Sequence, residues 1–436
     1  VASSFLIDGQ GSSQKSLVSL FAGEVFDDTV SLKMQGQRRG GYRSGSADSS
    51  ANFSGRIKSV AGPDGVHAFG NNAQNFILGA DLGNEPYHDS FTVVPTGITP
   101  PKQVSSSMHI ANLQSSVDST GLTRSSSSLS GYAAGVLQQP NGVGGVKATA
   151  LTTVHPLDMS VDLDATRKSV SAEMRLIETG YQDDPYDSDD RAIGLDISFG
   201  DQSPAVEDPR RSVFIDNDRY AALESNSSSN TPSITGNDGN TSYGTKAASY
   251  FVPSTMVANG DAGLFATGQK CTCAFLEWGY WGTSVSTPAA SAGSPDVQNQ
   301  VHLGTWAAGR ILGPADMPTT GTATYTGHAV GSVVNGGSQY LAAGDFSMSV
   351  DFAARTGTAA ISKFDGRDFT SVLAGGSMFD DKNRFTGSVT NGGAMTGSFG
   401  ASLVEGPNGP VDGVIGGFSA FDGAWSATGV VVGQQP

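Results

Sequence analysis

Between Thr322 and Gly433 apolar and small residues recur at every second position, a period that suits extended strands with one buried face and excludes an amphipathic helix. Phe346, Met348, Val350 and Phe352 alternate with Ser347, Ser349, Asp351 and Ala353. The same alternation runs through Phe385–Val389, Met395–Ala401, Val414–Ala420 and Trp425–Val431. Adding Ala323–Val334, Thr358–Phe364 and Phe369–Ala374 gives about eight strands, joined by short turns such as Asn335-Gly336-Gly337 and Asn391-Gly392-Gly393. About eight strands is the number that closes a small barrel. Glycines share a face with large residues, as in Tyr325, Gly327, Ala329, Gly331 and Val333, which fits a narrow interior filled by large and small side chains in turn. An open sandwich of the same strands is the competing arrangement.

A chain of 436 residues is long enough for two or three domains. Only 37% of residues are hydrophobic and 15% charged, with Gly (58 residues), Ser, Thr and Asn making up the balance, so the expectation is an all-β protein. The segment from Gly313-Pro314 to Thr320-Gly321 is read as the main boundary. It divides a β-rich N-terminal region, 1–313, from a barrel over 321–434; the first region has a possible further division into 1–125 and 126–313. Short strands are expected at Thr29–Gln37, Leu129–Leu137, Gly145–Val154, Ser169–Glu178 and Arg191–Phe199. Two Ser/Asn/Gly/Thr-rich stretches, Glu224–Thr245 and Thr283–Asn299, read as long loops.

The formal charge of -16 and pI near 4.6 argue against nucleic acid as a partner. No apolar run is long enough for a transmembrane helix. The sequence begins at Val1, and the expectation is either a removed signal segment or one processed portion of a longer precursor. Scarce lysine, abundant Ser and Thr and low charge suit a secreted or cell-surface protein. The six histidines, His67, His88, His109, His155, His302 and His328, are scattered singly, and neither a nucleophile elbow nor a phosphate loop is present. The chain is therefore expected to be no enzyme and to carry no cofactor.

Three groups of residues are candidates for a site. Cys271 and Cys273, in Lys270-Cys271-Thr272-Cys273, would point to one face of a strand; a disulfide is favoured over buried free thiols or a soft-metal pair. Asp183, Asp184, Asp187, Asp189 and Asp190 offer carboxylates for calcium but lack the spacing of a calcium loop, so they are weak candidates against a solvated acidic loop. Trp278, Tyr280, Trp281 and Trp306, with Phe275, could form a flat platform for a sugar or haem. Alternation places Trp278 and Tyr280 on one face and Trp281 on the other, which favours an interdomain core seating the barrel on the region before it.

Thr324-Tyr325-Thr326-Gly327, Gly344-Asp345-Phe346, Phe385-Thr386-Gly387, Met395-Thr396-Gly397-Ser398-Phe399 and Gly416-Gly417-Phe418 give the last quarter of the chain a family likeness. It resembles the C-terminal barrel of transferrin-binding-protein-B-like surface proteins. The stretch from Cys271 to Gly309, with Glu277-Trp278-Gly279-Tyr280-Trp281 and His302-Leu303-Gly304-Thr305-Trp306, looks like what precedes such a barrel in large surface proteins with an upstream FecR-type domain. The resemblance implies the outer cell surface of a Gram-negative bacterium and binding of a protein or an iron carrier. Two functions follow as expectations. The first is a structural or interaction protein that self-assembles into a surface layer or filament, as a homo-oligomer, through its sheet edges. The second is a receptor capturing iron, haem or an iron-carrier protein.

Overall fold

The computed structural model describes residues 127–436 except for 141–145, 165–168, 180–192, 201–210, 217–218, 228–230, 237–238, 255–256, 259–263, 267, 272, 274, 289–296, 336–337 and 377–382; before residue 127 it describes only the backbone of short strands. Of these, β1 (Gln14–Lys15) pairs with β7 (Leu113–Gln114), and β3 (Thr29–Arg39) lies between β4 (Ser49–Arg56) and β5 (His88–Thr96). A further small sheet joins β2 (Ser19–Ala22), β6 (Ser106–Ile110) and β18 (Val257–Ala258). The protein is all-β, with the barrel at its C-terminal end.

That barrel is a closed meander of eight antiparallel strands. They are β21 (Thr322–Asn335), β22 (Ser338–Asp351), β23 (Thr356–Phe364), β24 (Arg367–Gly375), β25 (Arg384–Thr390), β26 (Thr396–Gly406), β27 (Gly409–Asp422) and β28 (Trp425–Gln434). Closure comes from β28 returning to β21, in register from Thr326↔Gln434 to Asn335↔Trp425. The inward positions are those with the clean alternation. Tyr325, Phe346, Met348, Ile361, Phe369, Leu373, Phe385, Phe399, Phe418 and Val431 are all buried, so side chains fill the lumen. Phe418 sits edge-to-face on Phe364, with centroids 5.2 Å apart, and 5.7 Å from Phe369. At one rim, Asp365 (φ 50°) and Gly366 (φ 70°) make the tight Asp-Gly turn between β23 and β24, both in the left-handed region that such hairpins require. The Asp365 carboxylate accepts hydrogen bonds from Tyr340 Oη (2.8 Å) and Trp425 Nε1 (2.7 Å), tying the turn to two other strands.

The outward faces of β22 to β24 carry exposed Ser347, Ser349, Thr358, Thr370 and Val372. An apolar lumen under a hydroxyl-rich outer face is the reverse of a membrane-spanning barrel, whose lipid-facing band is apolar. No helix among the described residues is long and apolar enough to cross a membrane.

Upstream lies a twelve-stranded sheet. Its strands are β8 (Ser127–Pro140), β9 (Val146–Thr152), β10 (Met159–Asp164), β11 (Ser169–Glu178), β12 (Gly194–Gly200), β13 (Arg211–Asp216), β14 (Arg219–Ser227), β15 (Ser233–Thr235), β16 (Thr241–Tyr243), β17 (Thr245–Pro253), β19 (Glu277–Thr287) and β20 (Val297–Gly309). They run in the order β13-β14-β17-β19-β20-β8-β10-β11-β12-β15-β16, with β9 pairing β8 and β11. The sheet folds over itself, so that Phe199 of β12 meets Phe251 of β17 (5.8 Å) and Trp281 of β19 (6.1 Å) around a core of Val161, Met174, Leu195 and Trp306. The stretches Glu224–Thr245 and Thr283–Asn299 are thus shorter as loops than their composition suggests, because they contain β15, β16 and the ends of β14, β19 and β20. Polar side chains hold such strands by bonding one another across the sheet. Asn299 Nδ2 donates to Thr287 Oγ1 (3.1 Å), and Gln139 Nε2 donates to Asn299 Oδ1 (3.0 Å).

The sheet and the barrel meet along the outer wall of β21, β28, β27 and β26. His328, Val330, Ser332, Val432, Thr428, Ile415, Ser419, Ser402 and Val404 point outward there, and each is inaccessible to solvent. Tyr132, Ala134, Trp278, Tyr280 and Ala307 of the sheet share their core. Buried hydroxyls on this seam must find partners. Tyr132 Oη and Ser402 Oγ are 2.9 Å apart, Thr428 Oγ1 donates to the Leu151 carbonyl (3.3 Å), and Thr305 Oγ1 to that of Val330 (3.5 Å). The connection after β20 adds to β26: Leu312 N donates to Leu403 O and Glu405 N to Arg310 O, both at 2.9 Å.

Replacing Phe418 by Ala empties the middle of the barrel and is expected to destabilise the protein by about 3–5 kcal/mol, seen as a lower urea midpoint. Replacing Tyr132 by Phe leaves the shape intact and removes one seam bond, with an expected loss of about 1 kcal/mol.

Candidate functional site

One cross-strand row of the barrel's outer wall organises the seam. His328 on β21 pairs with Val432, Val432 with Ile415, Ile415 with Ser402, and Ser402 with Arg384 on β25. At a strand spacing of about 4.8 Å the row is about 19 Å long. Its middle is covered by the sheet, and its two ends lie at the lateral edges of the covered strip.

At the β21 edge the segment from Leu264 to Leu276 crosses the wall before β19 begins. Its apolar side chains fill gaps left by glycines: Phe275 lies where a side chain on Gly413 would stand, and Leu276 does the same at Gly309. Cys271 and Cys273 lie in this segment and outside any strand. Their Cα atoms are 5.3 Å apart, less than the roughly 6.6 Å of an extended i, i+2 pair, and the structure brings their sulphurs into bonding contact. The bend aims the Cys271 N–H at His328, whose Nδ1 accepts it at 2.9 Å. That bond places the imidazole proton on Nε2, which has no hydrogen-bond partner in its buried position. Phe265 and Trp278 meet the ring edge-to-face at 4.9 and 4.6 Å, and Lys270 Nζ lies 5.2 Å from the Trp278 ring centre. Burial, with a smaller contribution from the Lys270 charge, lowers the His328 pKa to about 3.

The four aromatic residues singled out in the sequence do not form one platform. Trp278 and Tyr280 face the barrel and share its core, whereas Trp281 and Trp306 face the folded sheet. All four are buried. The Trp281 indole donates to the carbonyls of Ala134 (3.1 Å) and Thr305 (3.2 Å), and Trp306 stacks on Phe251 at 4.4 Å and donates to Tyr280 O. Room for Trp281 comes from Gly304 opposite it, where a Cβ would fall 2.5 Å from the indole. Asp183, Asp184, Asp187, Asp189 and Asp190 lie outside the described residues. Among the described residues no group of three or more His, Cys, Asp or Glu is arranged to hold a metal ion.

At the β25 edge the seam opens into a cleft of ≈ 490 Å³ between β8, β9 and β11 on one side and β25 to β27 on the other. Arg384 stands in it beside Tyr132, with Thr152, Thr179, Thr386, Ser388 and Ser398 along the walls. Burial pushes the Tyr132 phenol pKa up, against the opposing Arg384 charge and the Ser402 hydrogen bond, so this group stays neutral. A second, shallower depression of ≈ 560 Å³ on the sheet is lined by Asp158, Glu173, Arg175 and Asp196. Neither His328 nor Arg384 stands out in the sequence. The available signal is their parity: each sits on the outward face of a strand whose inward face is unmistakable.

Taken as a class, the molecule is a filled barrel laterally welded to a folded β-sheet, with a cleft beside the weld. No family model matches the sequence, and the comparison with curated proteins found no match. Several solved structures are loosely similar. A mutant of the vaccine antigen transferrin binding protein B from Haemophilus parasuis shares 10% identity over 99% of both chains, with a TM-score of 0.27. The haemoglobin receptor HpuA from Kingella denitrificans shares 14% identity over 61% of this chain and 83% of its own, with a TM-score of 0.25. Transferrin binding protein B from Neisseria meningitidis shares 11% over 100% and 87%, with a TM-score of 0.23. Similarity at this level leaves the chain's function to be read from its own residues.

Joining Cys271 to Cys273 closes a very short ring, so the entropic contribution is small. The double replacement by serine is expected to lower stability by about 1–2 kcal/mol, and intact-mass measurement under denaturing conditions should find no free thiol before reduction. For His328, the unfolded imidazole takes a proton near pH 6.5 and the folded one only near pH 3. The unfolded state therefore binds the extra proton between these values. Stability from this site is intact above pH 6.5 and falls as pH drops toward 3, by at most about 4–5 kcal/mol. Replacing His328 by Gln should lower the urea midpoint at pH 7.5 and shrink that difference as pH falls to 4.

Proposed function

We propose that this chain is a non-enzymatic binding protein of the outer bacterial surface, and that its ligand is another protein rather than a small molecule held inside the barrel. The observation that carries this reading is the filled lumen. A barrel that encloses a ligand keeps its interior open, whereas here Tyr325, Phe346, Phe399 and Phe418 occupy it. Recognition is then left to the outer surface, where two open depressions are lined by hydroxyl-bearing and charged side chains. Rigid β scaffolds commonly present binding residues in this way.

Of the two functions expected from the sequence, capture of a carrier protein has the better support. The resemblance in the barrel motifs implies an iron-carrier partner, and the seam between barrel and sheet supplies a rigid, buried joint and a cleft beside it. Self-assembly through the edge strands β13 and β16 is the second reading. We take residues 313–321, which fall between β20 and β21, as the division between two domains.

The two are separated by passing haemoglobin and transferrin, and separately free haem and ferric iron, over the immobilised chain while the same preparation is sized by light scattering. Saturable binding of a carrier protein by a monomer is the expected outcome. Ordered particles that form without any added protein, together with no carrier binding, would transfer the assignment to self-assembly.

A further inference from the structure

Arg384 is the cation of the cleft at the β25 edge; the Tyr132 phenol is hydrogen-bonded to it, and no carboxylate among the described residues pairs with it. Its Nε is buried and has no hydrogen-bond partner, and among the described residues it forms no ion pair. The carboxylate nearest at hand in the cleft lining, Glu178, has its Oε2 3.5 Å from the Ile193 N–H instead. An unpaired guanidinium held partly out of water is costly unless something supplies its counter-charge.

The floor around Arg384 is also kept clear. A side chain on Gly400 would touch Arg384 Nη2 at 3.4 Å, and one on Gly417 would reach Thr152 Oγ1 at 3.1 Å and Tyr132 at 3.5 Å. Gly400 therefore leaves space beside the guanidinium and Gly417 leaves it beside Thr152 and Tyr132, in a cleft whose lining includes the hydroxyls of Thr152, Thr386 and Ser398.

We propose that this cleft receives an acidic side chain, Asp or Glu, carried on an extended segment of the partner protein, with Arg384 binding the carboxylate through paired N–H donors. A carboxylate is favoured over a phosphate because the described lining offers one guanidinium and also holds Glu178, a balance that suits a single negative charge. A volume of ≈ 490 Å³ is far larger than the carboxylate itself, and hydroxyls on both walls can bond the amides and carbonyls of the chain that bears it. The assignment rests on the protein-capture reading and adds to it the chemistry of the contact.

The probes are the peptide acetyl-Gly-Ser-Glu-Ser-Gly-amide and its Gln counterpart, titrated into the whole chain labelled with ¹⁵N-arginine. The Arg384 Nε–H resonance should move with the Glu peptide and stay in place with the Gln peptide, and Arg384→Gln should weaken binding of the Glu peptide about tenfold or more. Equal responses to the two peptides, undiminished binding by the variant, or tighter binding of inorganic phosphate than of the Glu peptide would each overturn the assignment. The Glu/Gln contrast is read on the unsubstituted chain, so it stands even where the variant folds poorly. An absent contrast with carrier capture intact removes the cleft alone, whereas an intact contrast without capture removes the receptor reading.

Discussion

Everything in this fold depends on hiding the outer wall of four barrel strands. A barrel closed on its own has satisfied backbones and a filled interior, and its outer face ordinarily belongs to water. Here β21, β28, β27 and β26 turn valines, an isoleucine and a histidine outward among serines and threonines, and the sheet covers them all. Burying that strip is favourable only if its hydroxyls keep hydrogen bonds, since an orphaned buried hydroxyl costs about 1–3 kcal/mol. Tyr132 with Ser402 and Thr428 with Leu151 meet that condition across the two bodies, while Ser398 with Ser419 meets it along the wall. Such directional bonds fix the relative placement of barrel and sheet in a way that apolar contact alone would leave loose.

The same requirement explains how the aromatic side chains are distributed. β19 and β20 have cores on both faces, so their large residues are sorted by parity and by the bulge between Trp281 and Thr283. Trp278 and Tyr280 fall to the barrel, while Trp281 and Trp306 fall to the sheet. Gly304 makes the second assignment possible by leaving its face vacant for the Trp281 ring. Rings for which the sequence favoured one interdomain core are divided between two interiors.

Much of the barrel was legible because its inward residues are apolar or glycine and its outward ones polar, the alternation that period-two reading detects. The seam was not, for the same reason. Ser332, Ser402, Ser419 and Thr428 look solvent-facing in a linear reading and are buried in the fold. Cys271 and Cys273 were visible as a pair, but the bend that takes them out of a strand depends on His328, 57 residues away, accepting the Cys271 N–H. Arg384 was invisible as a site because its significance comes from the row that links it to Ser402 and Tyr132. The Ser- and Asn-rich stretches misled in the opposite direction, since Thr287, Asn299 and Gln139 form a polar ladder that needs no apolar residue. The acidic run at Asp183–Asp190 lies outside the described residues.

Strand β8 has Tyr132 in the seam against the barrel's outer wall and Ala133 next to it in the core of the sheet. Inserting or deleting one residue within β8 ahead of this pair would exchange its two faces, presenting the phenol to the wrong interior and a methyl to Ser402. Most surface strands tolerate length changes at their ends by sliding. This one is clamped between two interiors of different shape, so length variation among natural versions of the protein should be confined to the connections around β8 and spare the strand itself.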